Sequence, residues 1–356
     1  MNTIESIIDA VYQGGRISAI EAEILYHNAP LLTLANLADH IRFKKHPDPV
    51  VTFVIDRNIN YTNICISRCK FCAFCRPLAH KEAYVISREI LDLKIQETID
   101  LGGTQILFQG GLHPDLPFSF YLDILSHIKN TFDIHIHGFS PPEIEHMSKI
   151  SGLSFQETIS QLKNAGLNSI PGGGAEILVD QVRCHISPNK CDSNTWLTVM
   201  KTAHELGLPT SATMMFGHIE TPAQMVEHII RIRELQDQTN GFTAFIPWSF
   251  QPNNTHIHVR KATAWQYLRV LALSRIVLDN IPGIQASWVT QGDKIAQLAL
   301  SFGANDLGST MIEENVVAAT GVNFRLSKDD MIRLIHSAGL KAAQRNCTYD
   351  ILEYLS

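Results

Sequence analysis

The chain has 356 residues, of which 45% are hydrophobic and 18% are charged, a composition typical of a globular enzyme with a sizeable buried core. Its formal net charge is −6 and it has no basic block, which argues against nucleic-acid binding and favours a small soluble substrate. The N-terminus lacks the basic region of a signal peptide and no run of about 18 apolar residues predicts a membrane span, so we expect a cytoplasmic protein.

The chain divides into three predicted segments. Residues 1–48 are expected to be helical, because apolar residues between Ile4 and Val11 recur at helical spacing. Over residues 49–325, short apolar strands alternate with amphipathic helices. Residues 326–356 are predicted to form a second helical segment.

The middle segment is predicted to be a (β/α)8 barrel of the TIM type. The predicted strands are Val50–Ile55, Gln105–Gln109, Asp133–His137, Ser169–Ile170 with its flanks, Thr210–Met215, Phe242–Ile246, Gly283–Ser287 and a weak one at Leu300–Phe302. The predicted helices between them are Glu89–Leu101, Phe120–Asn130, Ser154–Ala165, Asn194–Leu206, Ala223–Gln236 and Trp265–Leu278. Such alternation indicates parallel strands joined by right-handed crossovers. Polar and glycine-rich segments follow the strands, at the face where barrels of this kind build their active sites.

Three cysteines directly after the first predicted strand suggest an iron–sulfur site. Cys65, Cys69 and Cys72 have CX3CX2C spacing, and in a reducing compartment such a cluster points to metal ligation more than to disulfides. Three thiolates can hold a 4Fe-4S cluster and leave one iron open. An open iron can chelate S-adenosylmethionine (SAM), and one electron from the cluster then cleaves SAM to a 5′-deoxyadenosyl radical.

Other interpretations of the cysteines stay open. A zinc site usually has four ligands, often in two separated pairs, and no second pair with suitable spacing appears. Cys75 is either a fourth ligand, which would close the open iron, or a small side chain packed beside the cluster. Phe71, directly before Cys72, resembles the aromatic residue found at this position in the cysteine loops of radical SAM enzymes.

The chain resembles the cyclic dehypoxanthinylfutalosine synthases, radical SAM enzymes of the futalosine route to menaquinone. The matching stretches, within about residues 50–325, are Asp56–Asn63, Gly102–Leu107, Gln109–Pro114, His135–His137, Phe139–Ile144, Ile170–Glu176, Thr213–Thr221, Phe245–Trp248, Phe250–Pro252 and Gly303–Gly308. Several are shared with aminofutalosine synthase and with the tyrosine-using component of deazaflavin synthase, but Asp56–Asn63 and Phe250–Pro252 favour the cyclase. One departure is Cys75, where the family usually has Tyr.

The resemblance implies a 4Fe-4S cluster and SAM as cofactors. It suggests that Gln109, Gly110 and Gly111 bind the amino group of SAM and that Gly217 and His218 contact its adenine. Glu176 would bond a ribose hydroxyl of SAM, and Arg183 would pair with its methionine carboxylate. Each of these residues also has a plainer interpretation as a turn, a solvated side chain or a structural histidine.

The implied substrate is dehypoxanthine futalosine, which carries a benzoate carboxylate and a ribose. Candidate substrate residues near predicted strand ends are Asn60, His113, Trp248, Ser287, Gln291 and Glu313, and Asp293 is the candidate base. The implied reaction abstracts the ribose C4′ hydrogen, adds the new radical to the aromatic ring, and then loses one electron and a proton. An electron donor such as flavodoxin or ferredoxin is expected. The alternatives are the two related radical SAM activities and, in another class, a non-catalytic metal-binding protein.

Overall fold

A computed structural model describes residues 3–356 of the chain. The strands are β1 (Val50–Val54), β2 (Asp56–Asn60), β3 (Gln105–Gln109), β4 (His135–Gly138), β5 (Thr210–Phe216), β6 (Phe242–Ser249), β7 (Gly283–Ile284), β8 (Asp306–Ser309), β9 (Lys341–Arg345) and β10 (Ile351–Leu355). The helices before β4 are α1 (Ile4–Tyr12), α2 (Ala19–Asn28), α3 (Leu31–Lys45), α4 (Arg88–Asp100) and α5 (Phe118–Thr131). The later helices are α6 (Pro141–Ser151), α7 (Phe155–Ala165), α8 (Asp180–Ile186), α9 (Ser193–Glu205), α10 (Pro222–Thr239), α11 (Ala264–Val277), α12 (Trp288–Gln291), α13 (Asp293–Ala299) and α14 (Lys328–Ser337).

The parallel strands close into the predicted (β/α)8 barrel. Strands β2, β3 and β4 pair in that order, as do β5, β6 and β7. Bridges at residues 169–170 join β4 to β5, and a bridge from Gln285 to Asp306 joins the β7 strand to β8. Strand β8 pairs with β1, which closes the ring. The first barrel strand is interrupted at Ile55, so β1 and β2 together make up one barrel position.

An aromatic cluster fixes the end of β2, where the cysteine loop begins. The Tyr61 ring lies 5.4 Å from that of Phe108, 5.8 Å from that of Tyr121 and 5.9 Å from that of Phe139, measured between centroids. All four side chains are buried. Such pairs each contribute about 0.5–1.5 kcal/mol beyond simple burial. The rigid cluster therefore anchors the chain just before the cysteines.

The C-terminal segment contains one helix and two strands, so the prediction of helix throughout residues 326–356 is wrong after α14. Strand β9 runs parallel to β1, with Val50 opposite Lys341, and β10 returns antiparallel to β9. Ala342 and Ala343 are buried against the barrel. Residues 341–345 form a strand because they pair with β1, which is distant in the sequence, and the local pattern of apolar residues does not reveal such pairing. The proposed division into three segments remains a prediction.

Two smaller strand predictions also differ from the structure. Leu300–Phe302 is a 3-10 turn, which ends at Gly303 with φ of 93°. The strand itself comes later, as β8. Its sequence is too polar to be predicted from hydrophobicity, because Asp306 is buried by pairing with the internal Arg345. Ser169 and Ile170 form single bridges and no strand. Among residues 3–356, no helix is long and apolar enough to cross a membrane.

Candidate active site

The barrel interior holds a cavity of about 300 Å³, in the size range of small-molecule sites. Side chains from opposite sides of the barrel line it, among them Asp56 on β2, Gln109 on β3, Thr213 on β5, Trp248 on β6 and Ser309 on β8. Because the strands are parallel, their carboxyl ends open on one face, which we call the mouth of the cavity. The cysteine loop follows β2 at this mouth.

The opposite end of the cavity, its floor, is closed by residues from the C-terminal segment. Arg345, Cys347 and Tyr349 line it. The Arg345 guanidinium donates to both oxygens of Asp306, at 2.5 and 2.9 Å, and lies 3.8 Å from the Tyr349 ring centroid. The two paired side chains are 4% and 0% exposed. The C-terminal segment is therefore part of the site. The prediction of an all-helical C-terminal segment did not place any of its residues in the barrel.

Two histidines near the floor share one serine. His135 Nε2 and His137 Nδ1 each lie 2.7 Å from Ser169 Oγ, and Cys347 Sγ lies 3.4 Å from the same oxygen. Burial lowers the pKa of His135 to about 4 and that of His137 to about 3. Both imidazoles are therefore neutral near pH 7. His137 lines the cavity and can offer hydrogen-bonding groups there without a charge.

Cys65, Cys69 and Cys72 lie together on the loop at the mouth, and none of them is in a disulfide. The Cys65 amide donates to the Arg76 carbonyl at 3.2 Å, and the Cys72 amide closes a turn onto the Cys69 carbonyl at 3.1 Å. Cys69 is buried, and burial raises the pKa of its thiol to about 11. Across residues 3–356, no three His, Cys, Asp or Glu side chains form a site for a metal ion. Three free thiols on one loop are the donor set that an iron–sulfur cluster takes.

A buried lysine connects the cysteine loop to the cavity. The Lys190 ammonium donates to Glu176 Oε1 at 2.9 Å and lies 5.1 Å from the Phe71 ring centroid. Burial lowers the pKa of Lys190, but the charges of Cys69 and Glu176 outweigh this and raise it overall. Lys190 therefore stays a cation between the thiols and the cavity wall.

Glu176 is the predicted SAM residue with the clearest free acceptor. It lines the cavity and is 5% exposed. Within the described part of the chain, its Oε2 is buried and has no hydrogen-bond partner. A buried oxygen without a donor is costly, and a ligand hydroxyl would satisfy it. The residues at this position thus fit a ribose-bearing cofactor.

The Gln109–Gly111 turn is only partly in the cavity. Gln109 lines it, whereas Gly110 and Gly111 lie behind the cysteine loop. A Cβ at Gly110 would come within 2.6 Å of the Tyr61 ring, and one at Gly111 within 2.1 Å of the Ile64 carbonyl oxygen. These glycines are required for close packing against the loop. Their direct contact with SAM stays a prediction.

Arg183 does not line the cavity, and its predicted contact with SAM stays a prediction. Its guanidinium donates to the backbone carbonyls of Ala175 at 2.5 Å and Cys191 at 2.6 Å, and to that of Gly174 at 3.2 Å. The side chain is 3% exposed. Its donors are occupied by backbone carbonyls and its Nη1 lies 3.8 Å from Glu176 Oε2, so Arg183 holds the loop of Glu176 in place.

Gly217 and His218 form a closed turn. Their amides donate to the two oxygens of Glu220, at 2.5 and 3.0 Å. His218 Nε2 lies 3.1 Å from the Met215 carbonyl, and its side chain is fully buried. The plainer interpretation of His218 as a structural histidine fits these contacts, and neither residue lines the cavity.

The predicted substrate residues separate into two groups. Trp248 and Ser287 line the cavity. The others bond within the protein: Asn60 to Gln109, His113 to Asp115, Gln291 to Ser249, and Glu313 to Lys94.

Asp293, the predicted base, is the first residue of α13 and does not line the cavity. The residues that bond within the protein also do not line the cavity; these are Asn60, His113, Gln291 and Glu313. Sequence reasoning gave no role to Asp56 and His137, although both stand in stretches that carried the family resemblance.

Residues 59–232 match the Radical SAM superfamily, and residues 239–356 match the CofH/MqnC C-terminal region. The chain is 44% identical to the cyclic dehypoxanthine futalosine synthase of Halalkalibacterium halodurans, over 98% of this chain and 95% of that protein. It is 41% identical to the 5-amino-6-(D-ribitylamino)uracil–L-tyrosine 4-hydroxyphenyl transferase of Methanopyrus kandleri, over 84% of each chain. Its fold is similar to that of the FeFe-hydrogenase maturase HydG of Carboxydothermus hydrogenoformans, with a TM-score of 0.76 and 17% identity over 97% of this chain and 80% of that chain.

Proposed function

Because the chain belongs to the radical SAM superfamily and, within it, to the cyclic dehypoxanthine futalosine synthase family, we propose that it cyclises dehypoxanthine futalosine. The relationship to the synthase from Halalkalibacterium halodurans, which spans nearly the whole of both chains, carries this proposal. The cysteine loop at the mouth of a closed barrel cavity independently supports the radical SAM chemistry of the proposal. The Methanopyrus kandleri transferase matches at slightly lower identity over a smaller share of the chain.

The cofactor site is proposed to be the cysteine loop together with the nearest cavity wall. Cys65, Cys69 and Cys72 would hold a 4Fe-4S cluster, which, when bound with SAM, supplies the 5′-deoxyadenosyl radical. Glu176 would accept a hydrogen bond from a ribose hydroxyl at Oε2, which lies 3.8 Å from Arg183 Nη1 and accepts no hydrogen bond within the described residues. Lys190 would hold the Glu176 carboxylate in position through their contact at 2.9 Å.

The chain's own contribution to the reaction is enclosure and orientation. The barrel wall keeps solvent and loose side chains away from a reactive carbon radical. Trp248 offers a flat apolar surface for an aromatic ring, and Ser287 offers a hydrogen bond to a ribose hydroxyl. Neutral His137, near the floor, offers a hydrogen bond to the part of the substrate farthest from the mouth. Holding the C4′ hydrogen beside the radical source replaces a bimolecular encounter by a fixed geometry.

An acidic electron carrier such as flavodoxin or ferredoxin is the proposed reductant. Residues 65–81 and 251–265 contain no Asp or Glu, although the whole chain has a net charge of −6. The two segments touch, since the His256 amide donates to the Lys70 carbonyl at 2.7 Å. Their exposed cations include Lys70, Arg260 and Lys261. This basic face around the cysteine loop suits an acidic partner.

Product analysis tests the proposed function. Anaerobically reconstituted protein is incubated with SAM, dithionite and dehypoxanthine futalosine, and in parallel with L-tyrosine and 5-amino-6-(D-ribitylamino)uracil. We expect a cyclic product and free 5′-deoxyadenosine in the first mixture alone. Turnover only in the second mixture would assign the chain to the transferase activity instead.

A further inference from the structure

Three carboxylates line the cavity: Asp56, Glu176 and Glu314. Glu176 is paired with the Lys190 ammonium at 2.9 Å. Both oxygens of Glu314 accept from backbone amides, those of Val316 and Ala318 at 2.8 Å among them. Glu176 is therefore bonded by a buried cation and Glu314 by backbone amides, and neither kind of donor can rotate away from its acceptor. Neither is well suited to take up a proton.

Asp56 differs because its partners are neutral side chains. Its Oδ2 accepts from Gln105 Nε2 at 2.7 Å, and its Oδ1 accepts a short hydrogen bond from Ser309 Oγ. Arg345 acts on it only as a charge at a distance, since that guanidinium bonds Asp306. A serine hydroxyl can rotate away when its acceptor becomes protonated.

Asp56 also lies at a suitable depth in the cavity to contact a substrate held below the mouth. In the strand register it lies opposite Gln105, whereas Asn60 and Gln109 lie opposite each other at the mouth. The cysteine loop is at the mouth, so the reacting ribose must face that end. SAM would lie between that loop and the substrate, so the ribose C4′ and the ring carbon that bonds to it would lie below SAM, deeper in the cavity toward Asp56.

We propose that Asp56 accepts the ring proton released when aromaticity is restored after cyclisation. This rests on the proposed function. A carbon–carbon bond forms between ribose C4′ and a ring carbon, and the C–H bond at that ring carbon then breaks. The proton goes to the Asp56 carboxylate, and the remaining electron goes to a one-electron acceptor of the iron–sulfur type in its oxidised state. One electron first delivered to SAM is thereby returned, so the step balances.

Charge and burial at Asp56 agree with this role. The side chain is 4% exposed. Burial raises the pKa of Asp56, while the bonds from Ser309 and Gln105 and the charge of Arg345 lower it in part. A carboxylate with a raised pKa is a better base near neutral pH than a solvated one.

The first test compares Asp56→Asn with the wild-type protein. The loss of a general base lowers the rate by about 100-fold or more, so product formation should fall by that factor. SAM cleavage precedes the proton transfer, so the ratio of 5′-deoxyadenosine to cyclic product should rise at least about 10-fold. Asp293→Asn should lose less than Asp56→Asn. The assignment would be overturned if Asp56→Asn kept both its rate of product formation and its ratio of 5′-deoxyadenosine to product within about 3-fold of wild type. A larger loss of product formation in Asp293→Asn than in Asp56→Asn would also overturn it.

The second test, Ser309→Ala, keeps the carboxylate and removes one of its donors. The Ser309 bond lowers the pKa of Asp56, so its removal raises that pKa. Because the base must be ionised, the acid limb of the kcat profile should move to higher pH. An unmoved limb contradicts the proposal, and this readout does not depend on Asp56→Asn folding. If wild-type protein does not turn over this substrate at all, the proposed function fails first and the assignment of Asp56 fails with it.

Discussion

The mouth and the floor of the cavity are built in opposite ways. At the mouth, one short loop supplies three thiols, two of them partly exposed, and a basic surface surrounds it. At the floor, a buried arginine–aspartate pair joins β8 to β9, and β9 is held there by pairing with β1, almost 300 residues away in the chain. The mouth is suited to exchange with cofactors and partners, whereas the floor is suited to hold a fixed shape. Changes at the mouth should therefore affect chemistry first, and changes at the floor should affect stability first.

The largest expected effect is at the mouth, from replacing one cysteine of the loop. Cys69→Ser should lose the cluster and reduce turnover by more than about 1000-fold, because no other part of the site supplies the radical. Iron and sulfide content and product formation are the measurements. Cys75→Ser is the matched control, and it should keep both iron content and turnover. Loss of the cluster in Cys75→Ser would make Cys75 a ligand.

The next effect is at the floor. Asp306→Asn leaves the buried Arg345 charge without its partner, which costs about 3–5 kcal/mol in free energy of unfolding. Urea unfolding measures this. The double variant Asp306→Asn with Arg345→Gln should recover part of the loss, because it buries no unpaired charge. If Asp306→Asn unfolds like the wild type, the pair is not what fixes the floor.

A smaller effect is expected at the wall between the two ends. Glu176→Gln removes the charged acceptor that we assign to the SAM ribose, and the Kd for SAM should rise about 10- to 100-fold, the equivalent of a hydrogen bond to a charged group. Binding titration on reconstituted protein measures it. Glu234→Gln, on the exposed side of α10, is the matched control. Equal affinity in the two variants would remove Glu176 from the SAM site.

The smallest effect is on the basic face around the mouth. Arg260→Glu combined with Lys261→Glu should slow reduction by an acidic flavodoxin or ferredoxin about 10-fold at low salt, and less at high salt. Dithionite is a small reductant that needs no docking, so its rate should stay the same. Lys201→Glu, exposed on α9, is the control. An equal loss with dithionite would show damage to the site and not to docking.

The same contrast explains what the sequence could predict. The cysteine loop and the barrel follow from local signals, namely a fixed spacing and alternating strands and helices. The floor depends on β9 pairing with β1 across almost 300 residues, and a short segment such as Lys341–Arg345 carries no sign of its partner.

Individual site residues also show that local sequence signals do not reveal contacts between distant parts of the chain. Glu176 and Trp248 could be placed in the cavity from their position after or within strands. Arg183, whose donors are occupied by carbonyls, could not be told from a ligand-binding arginine. Asp56 and Ser309 come together from opposite ends of the barrel sequence, and only closure of the ring between β1 and β8 brings them into contact.

Electron paramagnetic resonance of the reduced, anaerobically reconstituted protein, with and without SAM, tests the central claim most directly. We expect the signal of a reduced 4Fe-4S cluster, and that signal should change when SAM binds to the open iron. Absence of a cluster signal, or a cluster signal that does not respond to SAM, would contradict the claim.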